Sequence, residues 1–444
     1  MNLRRTVFIL AHELAEPTFW DTYRYLTINQ WRKCNVLEEE QNAKLRQSLT
    51  TAYENVPYYH RLFRNLSLKP EDIRGVDDLK RLPILTKDEI RRNSDAFQPD
   101  NLRSMRFYNW ATGGSCGDPL QYRLLKSDRF MAGALLYRGW GYAGYELGDG
   151  MVFLGGSSIG VGVGTRLSNT MQEMVRNIKK LSSFDMDDSS IREYISTIAS
   201  RRPKYIYGYA SSLLLISKKV TENGKRPPPP KAIFSTAERL SREMRSTIEN
   251  AFGCNVFDIY GTNDGGVSAF ECKAHSGLHI DTERAVMEIV DEDGTPKEEG
   301  EGRIIATSLG NYAMPFVRYD TGDIGYKLSD RCSCGREYPL LREIVGRQQE
   351  FVVTPEGKRV HGEFFSHLFW NVAGVEQFQV IQSSRERLLV TIVPTAAFDP
   401  TQVEDLRRAI RTKSEKWVVD IRIADAIDGT RAGKYRFVVN EMNE

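Results

Sequence analysis

Lys204-Tyr205-Ile206-Tyr207, Ala232-Ile233-Phe234-Ser235 and Asn255-Val256-Phe257-Asp258-Ile259 are three short apolar runs whose reading decides the fold. Asp188 and Ser189 are N-cap types ahead of a helical segment reaching about Ser200. The first run then reads as a strand. Ala210 to Thr221 is a second helix, stopped by Asn223-Gly224 and by the prolines Pro227 to Pro230. The second run is another strand. Ser241 caps a helix to about Phe252, Gly253 ends it, and the third run follows. Strands alternating with helices imply an α/β fold with a mostly parallel sheet.

Outward from this block the pattern changes. Residues 17–95 read as mostly helical, and Glu38 to Glu54 spaces its apolar residues among charges as a half-buried helix does. Asn55-Val56-Pro57 breaks that helix. After Gly266, Ile280 to Val290, Gly302 to Thr307 and Gly325 to Leu328 look like β segments joined by Asp-Gly and Gly turns. Beyond Arg347 a smaller α+β unit is expected. Phe378 to Ile381 and Leu388 to Val393 would form a hairpin, with a helix from about Thr401 to Lys413 and a strand at Val418 to Ile423. The expected domains are 1–345 and 346–444.

A chain of 444 residues is long enough for two or more cores. Hydrophobic residues make up 41% and charged residues 27%, as in ordinary globular proteins. The net charge of +2 gives no sign of a nucleic-acid surface, which needs clustered Lys and Arg, so no nucleic-acid partner is expected. No apolar run approaches the roughly 20 residues of a membrane span. The N-terminal run Thr6 to Leu10 is shorter than a secretory apolar region, and Glu13 and Glu16 follow it, so the expected location is the cytoplasm. The six cysteines are then thiols or metal ligands rather than disulfides.

Short polar motifs lie in a fixed order along the chain: Thr112-Gly113-Gly114-Ser115-Cys116-Gly117, Ser235-Thr236-Ala237-Glu238, Tyr260-Gly261-Thr262-Asn263-Asp264, Arg318-Tyr319-Asp320-Thr321-Gly322-Asp323, Gly346-Arg347 and Gly433-Lys434. The first, glycine-rich and rich in hydroxyls, can turn N–H groups toward an anion, yet lacks the Gly-Lys-Ser/Thr ending of a P-loop. Asp323 can accept hydrogen bonds from both hydroxyls of a ribose. Lys434, next to glycine near the end of the chain, can reach into a cleft and neutralise developing charge. Cys332-Ser333-Cys334, with Cys272 and either His275 or His279, supplies the four ligands of a structural zinc. Tyr207-Gly208-Tyr209, at a strand-to-helix turn, offers aromatic walls with polar tips.

The ordered set resembles the adenylate-forming enzymes, and within them the phenylacetate–coenzyme A ligase family with its capsular-polysaccharide and deazaflavin-cofactor branches. The resemblance covers nearly the whole chain. It implies a large N-terminal α/β domain and a small mobile α+β C-terminal domain. It implies that Thr112, Gly113, Gly114 and Ser115 form the ATP loop. Ala237 and Glu238 line the adenine pocket, Tyr260 stacks on adenine, and Gly261 and Thr262 lie at the phosphate. Asp323 takes the ribose, and Arg347 marks the hinge. Asp264 holds Mg²⁺ where the family has Glu; one methylene shorter, it binds closer or through water. Lys434 serves adenylation. Tyr142, Tyr207, Gly208 and Tyr209 border the acyl substrate. The family pattern favours Cys272, His279, Cys332 and Cys334 as the zinc set. The expected activity is ATP-dependent adenylation of a carboxylic acid and transfer of the acyl group to coenzyme A. The alternatives are transfer to an amine or hydroxyl acceptor in polysaccharide or secondary-metabolite biosynthesis, and an inactive binding protein of the same fold. The acid is left open, and so is a homodimer.

Overall fold

The computed structural model describes residues 3–443 apart from 113–119, 157–165, 184, 185, 187, 225, 348–350, 362, 363, 366, 367, 370, 371 and 428–435. These residues form two compact units that divide between Val345 and Gly346.

The large unit begins with helices α1 Leu3–Ala15, α2 Phe19–Asn29, α3 Cys34–Asn55 and α4 Pro57–Asn65. Val56 between the last two is extended, the conformation a following proline imposes. Pro57 takes the first turn of α4, where a missing N–H costs nothing. After α5 Lys87–Arg92 comes a hairpin of β1 Phe107–Ala111 and β2 Gln121–Leu125, then α6 Lys126–Gly141. Strands and helices next alternate as β3 Met151–Gly155, α7 Arg166–Arg176, β4 Ile178–Ser182, α8 Asp188–Arg201, β5 Tyr205–Tyr209, α9 Ala210–Glu222, β6 Ala232–Thr236, α10 Arg242–Phe252 and β7 Val256–Gly261. Ser241 caps α10 by accepting from the Met244 N–H, and Gly253 ends it in the left-handed conformation. A meander of β8 Ser268–Glu271, β9 Leu278–Ile280, β10 Ala285–Val290, β11 Gly300–Ser308, β12 Tyr319–Leu328 and β13 Leu340–Arg347 follows.

The strands from β3 onward make one sheet of eleven among the described residues, in the order β10-β11-β12-β13-β9-β8-β7-β6-β5-β3-β4. The half from β4 to β7 is parallel. Beyond β7 the pairs β7–β8, β8–β9, β9–β13, β10–β11 and β11–β12 are antiparallel. The connections after Gly266 are too short for crossover helices, so only the first half can be parallel. Residues of β3, β5 and β6 are buried on both faces, as strands covered by helices on each side must be. One covering layer packs Trp140, Phe153, Tyr207 and Phe234; the other packs Leu154, Ile206, Ile233 and Val256.

The single segment expected over Ile280 to Val290 is two strands, parted by the buried run Asp281-Thr282-Glu283-Arg284. Arg138 on α6 binds Asp281, and binds Glu283 at 3.0 Å. Asn29 and Tyr338 also donate to Glu283. Arg284 grips Asp128 at 2.8 Å. Buried charges are tolerated only with partners, and reaching these takes the backbone off the ladder.

The small unit holds a hairpin of β14 Phe351–Val353 and β15 Arg359–His361 and a sheet of β16 Val375–Gln382, β17 Arg387–Pro394, β18 Val418–Ile423 and β19 Val438–Asn440. The sheet order is β18-β17-β16-β19, with α11 Gln402–Arg411 in the connection to β18. Phe378, Leu406, Ile410 and Trp417 centre its core. Buried Gln382 satisfies both ends of its amide on Val353, each at 2.7 Å. Among the described residues no helix is long and apolar enough to cross a membrane.

Candidate active site

Tyr209 pairs with Thr236, and Thr236 with Ile259, so β5, β6 and β7 end side by side. This register brings Tyr207-Gly208-Tyr209, Thr236-Ala237-Glu238 and Tyr260-Gly261-Thr262 to one edge of the parallel half-sheet. Open α/β sheets bind ligands at that edge. Gly208 is there because a Cβ would stand 2.6 Å from the Leu154 carbonyl oxygen. Ala237 has φ +67°, a strained value for a residue with a side chain. Glu238 accepts from the Ser211 N–H at 2.8 Å, so its carboxylate serves the first turn of α9.

Two motifs about sixty residues apart are cross-linked here. The Tyr260 hydroxyl donates to Asp323 Oδ2 at 2.9 Å, and the Tyr319 hydroxyl donates to Asp264 Oδ2 at 2.8 Å. Burial first, and the facing carboxylates after it, hold both hydroxyls well above their ordinary pKa, so they remain donors. Asp323 stands within β12 rather than in a turn, and its N–H rests on Thr321 Oγ1 at 3.2 Å. Thr262 forms the turn after β7: its N–H donates to the Val267 carbonyl at 2.9 Å and its Oγ1 accepts from Gly265 at 3.3 Å. Gly265 lets this turn press on β11, where a Cβ would lie 2.6 Å from that of Ala306. Asp264 is half-buried, and its Oδ1 accepts no hydrogen bond among the described residues, leaving an oxygen for a cation.

Thr112 closes the base of the expected phosphate loop, pairing with Leu120 by backbone and by Oγ1, each at 2.9 Å. Gly113, Gly114, Ser115, Cys116 and Lys434 lie outside the described residues. Arg347 is described as the last residue of β13.

Tyr207 and Tyr209 are buried. The Tyr207 ring lies 5.2 Å from those of both Trp140 and Phe153. Tyr142 is buried in the same apolar cluster as Tyr207 and Trp140; the Arg336 guanidinium lies 3.9 Å from its ring, and the ring is edge-on to His279 at 5.7 Å.

Cys272, His279, Cys332 and Cys334 place their ligand atoms within 4.8 Å of one another. Cys272 and Cys332 sulfurs are 3.6 Å apart, and Cys334 Sγ is 3.4 Å from His279 Nε2. A tetrahedral ion with Zn–S of about 2.3 Å and Zn–N of about 2.0–2.1 Å sets these separations near 3.8 and 3.5 Å. The donor set therefore fits zinc. His275 is elsewhere, 2.9 Å from Glu271.

A recess of about 430 Å³, lined by Lys231, Asn255, Phe257 and Lys273 among others, opens where β5, β6 and β7 begin. That is the opposite edge of the sheet from the motifs. Sequence reading missed the two tyrosine hydroxyls as organisers of Asp264 and Asp323. It also missed the Arg138 and Arg284 ion pairs behind them. The charged run Asp281-Thr282-Glu283-Arg284 inside an apolar stretch was the available signal for the second.

A family model described as the CapK C-terminal domain matches residues 352–441. The phenylacetate–coenzyme A ligase of Thermus thermophilus is 26% identical over 330 residues, 72% of each chain. Protein CapK of Staphylococcus aureus is 24% identical over 438 residues, 94% of this chain and 92% of CapK. The crystal structure of 2-hydroxyisobutyryl-CoA ligase in the postadenylation state superposes with TM-score 0.71 at 17% identity, covering 93% of this chain and 91% of that one. The chain is thus a relative of the phenylacetate–coenzyme A ligases and of CapK, built on the fold of the adenylate-forming ligases.

Proposed function

We propose that this protein is an AMP-forming ligase that activates a carboxylic acid with ATP and passes the acyl group to coenzyme A. The observation that carries the reading is the reciprocal clasp of Tyr260 on Asp323 and Tyr319 on Asp264 at the carboxyl end of β7. It supports a reading in which Asp323 receives the ribose and Asp264 serves the metal at the phosphates. The acid's carboxylate oxygen attacks the α-phosphorus, a P–O bond breaks, and pyrophosphate leaves. Lys434 stabilises the charge that develops there. The acceptor thiol then attacks the acyl carbon, releasing AMP and a proton. Asp264 would hold Mg²⁺, which supplies charge neutralisation on the phosphates when bound. Tyr207, Gly208 and Tyr209 border the acyl group, and turnover needs the small domain, 346–444, to change position between the half-reactions.

Cys272, His279, Cys332 and Cys334 would hold a structural zinc that staples β9 to the segment before β13. Thiols kept for that role suit the cytoplasm. A second reading is transfer to an amine or hydroxyl acceptor. Product analysis with and without coenzyme A separates the two. Acyl-CoA formed with AMP supports the first; an adenylate released only to an amine or hydroxyl acceptor supports the second.

A further inference from the structure

Arg129, Gly133 and Tyr137 follow one another at four-residue spacing along α6 and so share a face. Arg176 closes α7, its guanidinium 5.8 Å from the Tyr137 ring and 5.5 Å from the Phe153 ring. Phe153 pairs with Tyr207 across β3 and β5. Arg176 therefore rests against the aromatic wall to which Tyr207 belongs. At the other end of the α6 face, Arg129 lies 5.9 Å from the ring of Trp110, on the strand that leads into the glycine-rich loop. Among the described residues Gly133 between them leaves a gap, for a Cβ there would meet only the Arg129 guanidinium, at 4.0 Å.

The charge balance of this gap is unusual. Arg138, Arg284 and Arg318, all buried, each hold a carboxylate. Arg129 and Arg176 hold none: among the described residues neither makes an ion pair or a hydrogen bond, and the Nε of Arg176 is buried without a partner. Ring faces attract a guanidinium but leave its N–H fork unpaired. Both positive charges bear on Tyr207, where they favour the ionised hydroxyl against the larger opposing effect of burial. Arg129 is exposed, yet its partial burial lowers its pKa from the ordinary value. Two like charges converging on a gap beside an aromatic wall are stabilised together only by an anion.

We infer that the acid activated here carries a second anionic group, a carboxylate or phosphate, received between Arg129 and Arg176. This rests on the ligase reading and names its substrate class. The test compares pyrophosphate release with matched acids: pentanoate against glutarate, phenylacetate against 4-carboxyphenylacetate, and lactate against phospholactate. The dianionic member of at least one pair should exceed its partner about tenfold or more in kcat/KM. Arg129→Gln and Arg176→Gln should each lower that kcat/KM about tenfold to a hundredfold, through KM, while changing the monoanion less than about twofold. Arg129, partly in solvent, can be replaced without disturbing the core, so its variant keeps the test open if Arg176→Gln does not fold. Preference for the monoanions, or a dianion preference unchanged in the Arg129 variant, overturns the inference and leaves adenylation standing. Pyrophosphate release with neither series overturns the ligase reading itself.

Discussion

Removing one hydroxyl from each half of the clasp separates its two carboxylates. Tyr260→Phe deletes the 2.9 Å bond to Asp323, and Tyr319→Phe deletes the 2.8 Å bond to Asp264. Both rings stay, so packing changes little. A hydrogen bond to a charged group contributes roughly 1.5–3 kcal/mol, and the loss is largest where water cannot replace the donor. Asp323 is only 5% exposed, so Tyr260→Phe belongs at the upper end, with about thirtyfold to a hundredfold weaker use of ATP. Asp264 is half-buried and can rehydrate, so Tyr319→Phe should cost about tenfold or less, felt chiefly as a changed Mg²⁺ dependence. The assay is ATP–pyrophosphate exchange over ATP and Mg²⁺ concentrations, with thermal unfolding to confirm the fold. If both variants match wild type within about twofold in KM for ATP and in Mg²⁺ dependence, the clasp does not organise the site and the reasoning fails.

Purified protein should contain one equivalent of zinc, and Cys332→Ser should lose it and lower the melting temperature; a metal content far below one equivalent rejects the site. Gly139→Ala places a Cβ 2.1 Å from the Phe270 ring, so it should destabilise by about 1–3 kcal/mol in denaturant titration without altering acid preference. Asp258 is pushed up to about 7, by burial first and by Glu271 second. A folded-state pKa above the unfolded value of about 3.9 means stability present at low pH and lost as pH rises toward about 7. Asp258→Asn should therefore stabilise at pH 8 by up to about 4 kcal/mol and do little near pH 4; equal shifts at both pH values contradict this.

Much of the fold was legible because its signals are local. The caps at Ser241 and Gly253, the break at Pro57 and the apolar runs of β5, β6 and β7 each fix an element from a few neighbouring residues. What was not legible depends on partners far along the chain. The buried Asp281 and Glu283 read as strand residues until Arg138, some 140 residues earlier, supplies their charge balance. Tyr319 carries no sequence signal of its partner, and only the fold shows its hydroxyl reaching Asp264. The cysteine set was readable because Cys-Ser-Cys spacing is itself a ligand pattern, though choosing His279 over His275 needed the resemblance in sequence and the fold in space.

The central claim is adenylation, and the most direct test is acid-dependent ATP–pyrophosphate exchange by the wild-type protein beside Lys434→Ala. Exchange that requires both an acid and Mg²⁺, and that falls by orders of magnitude in Lys434→Ala while ATP still binds, is the predicted result. Exchange undiminished in the variant, or none with any carboxylic acid although ATP binds, would contradict it.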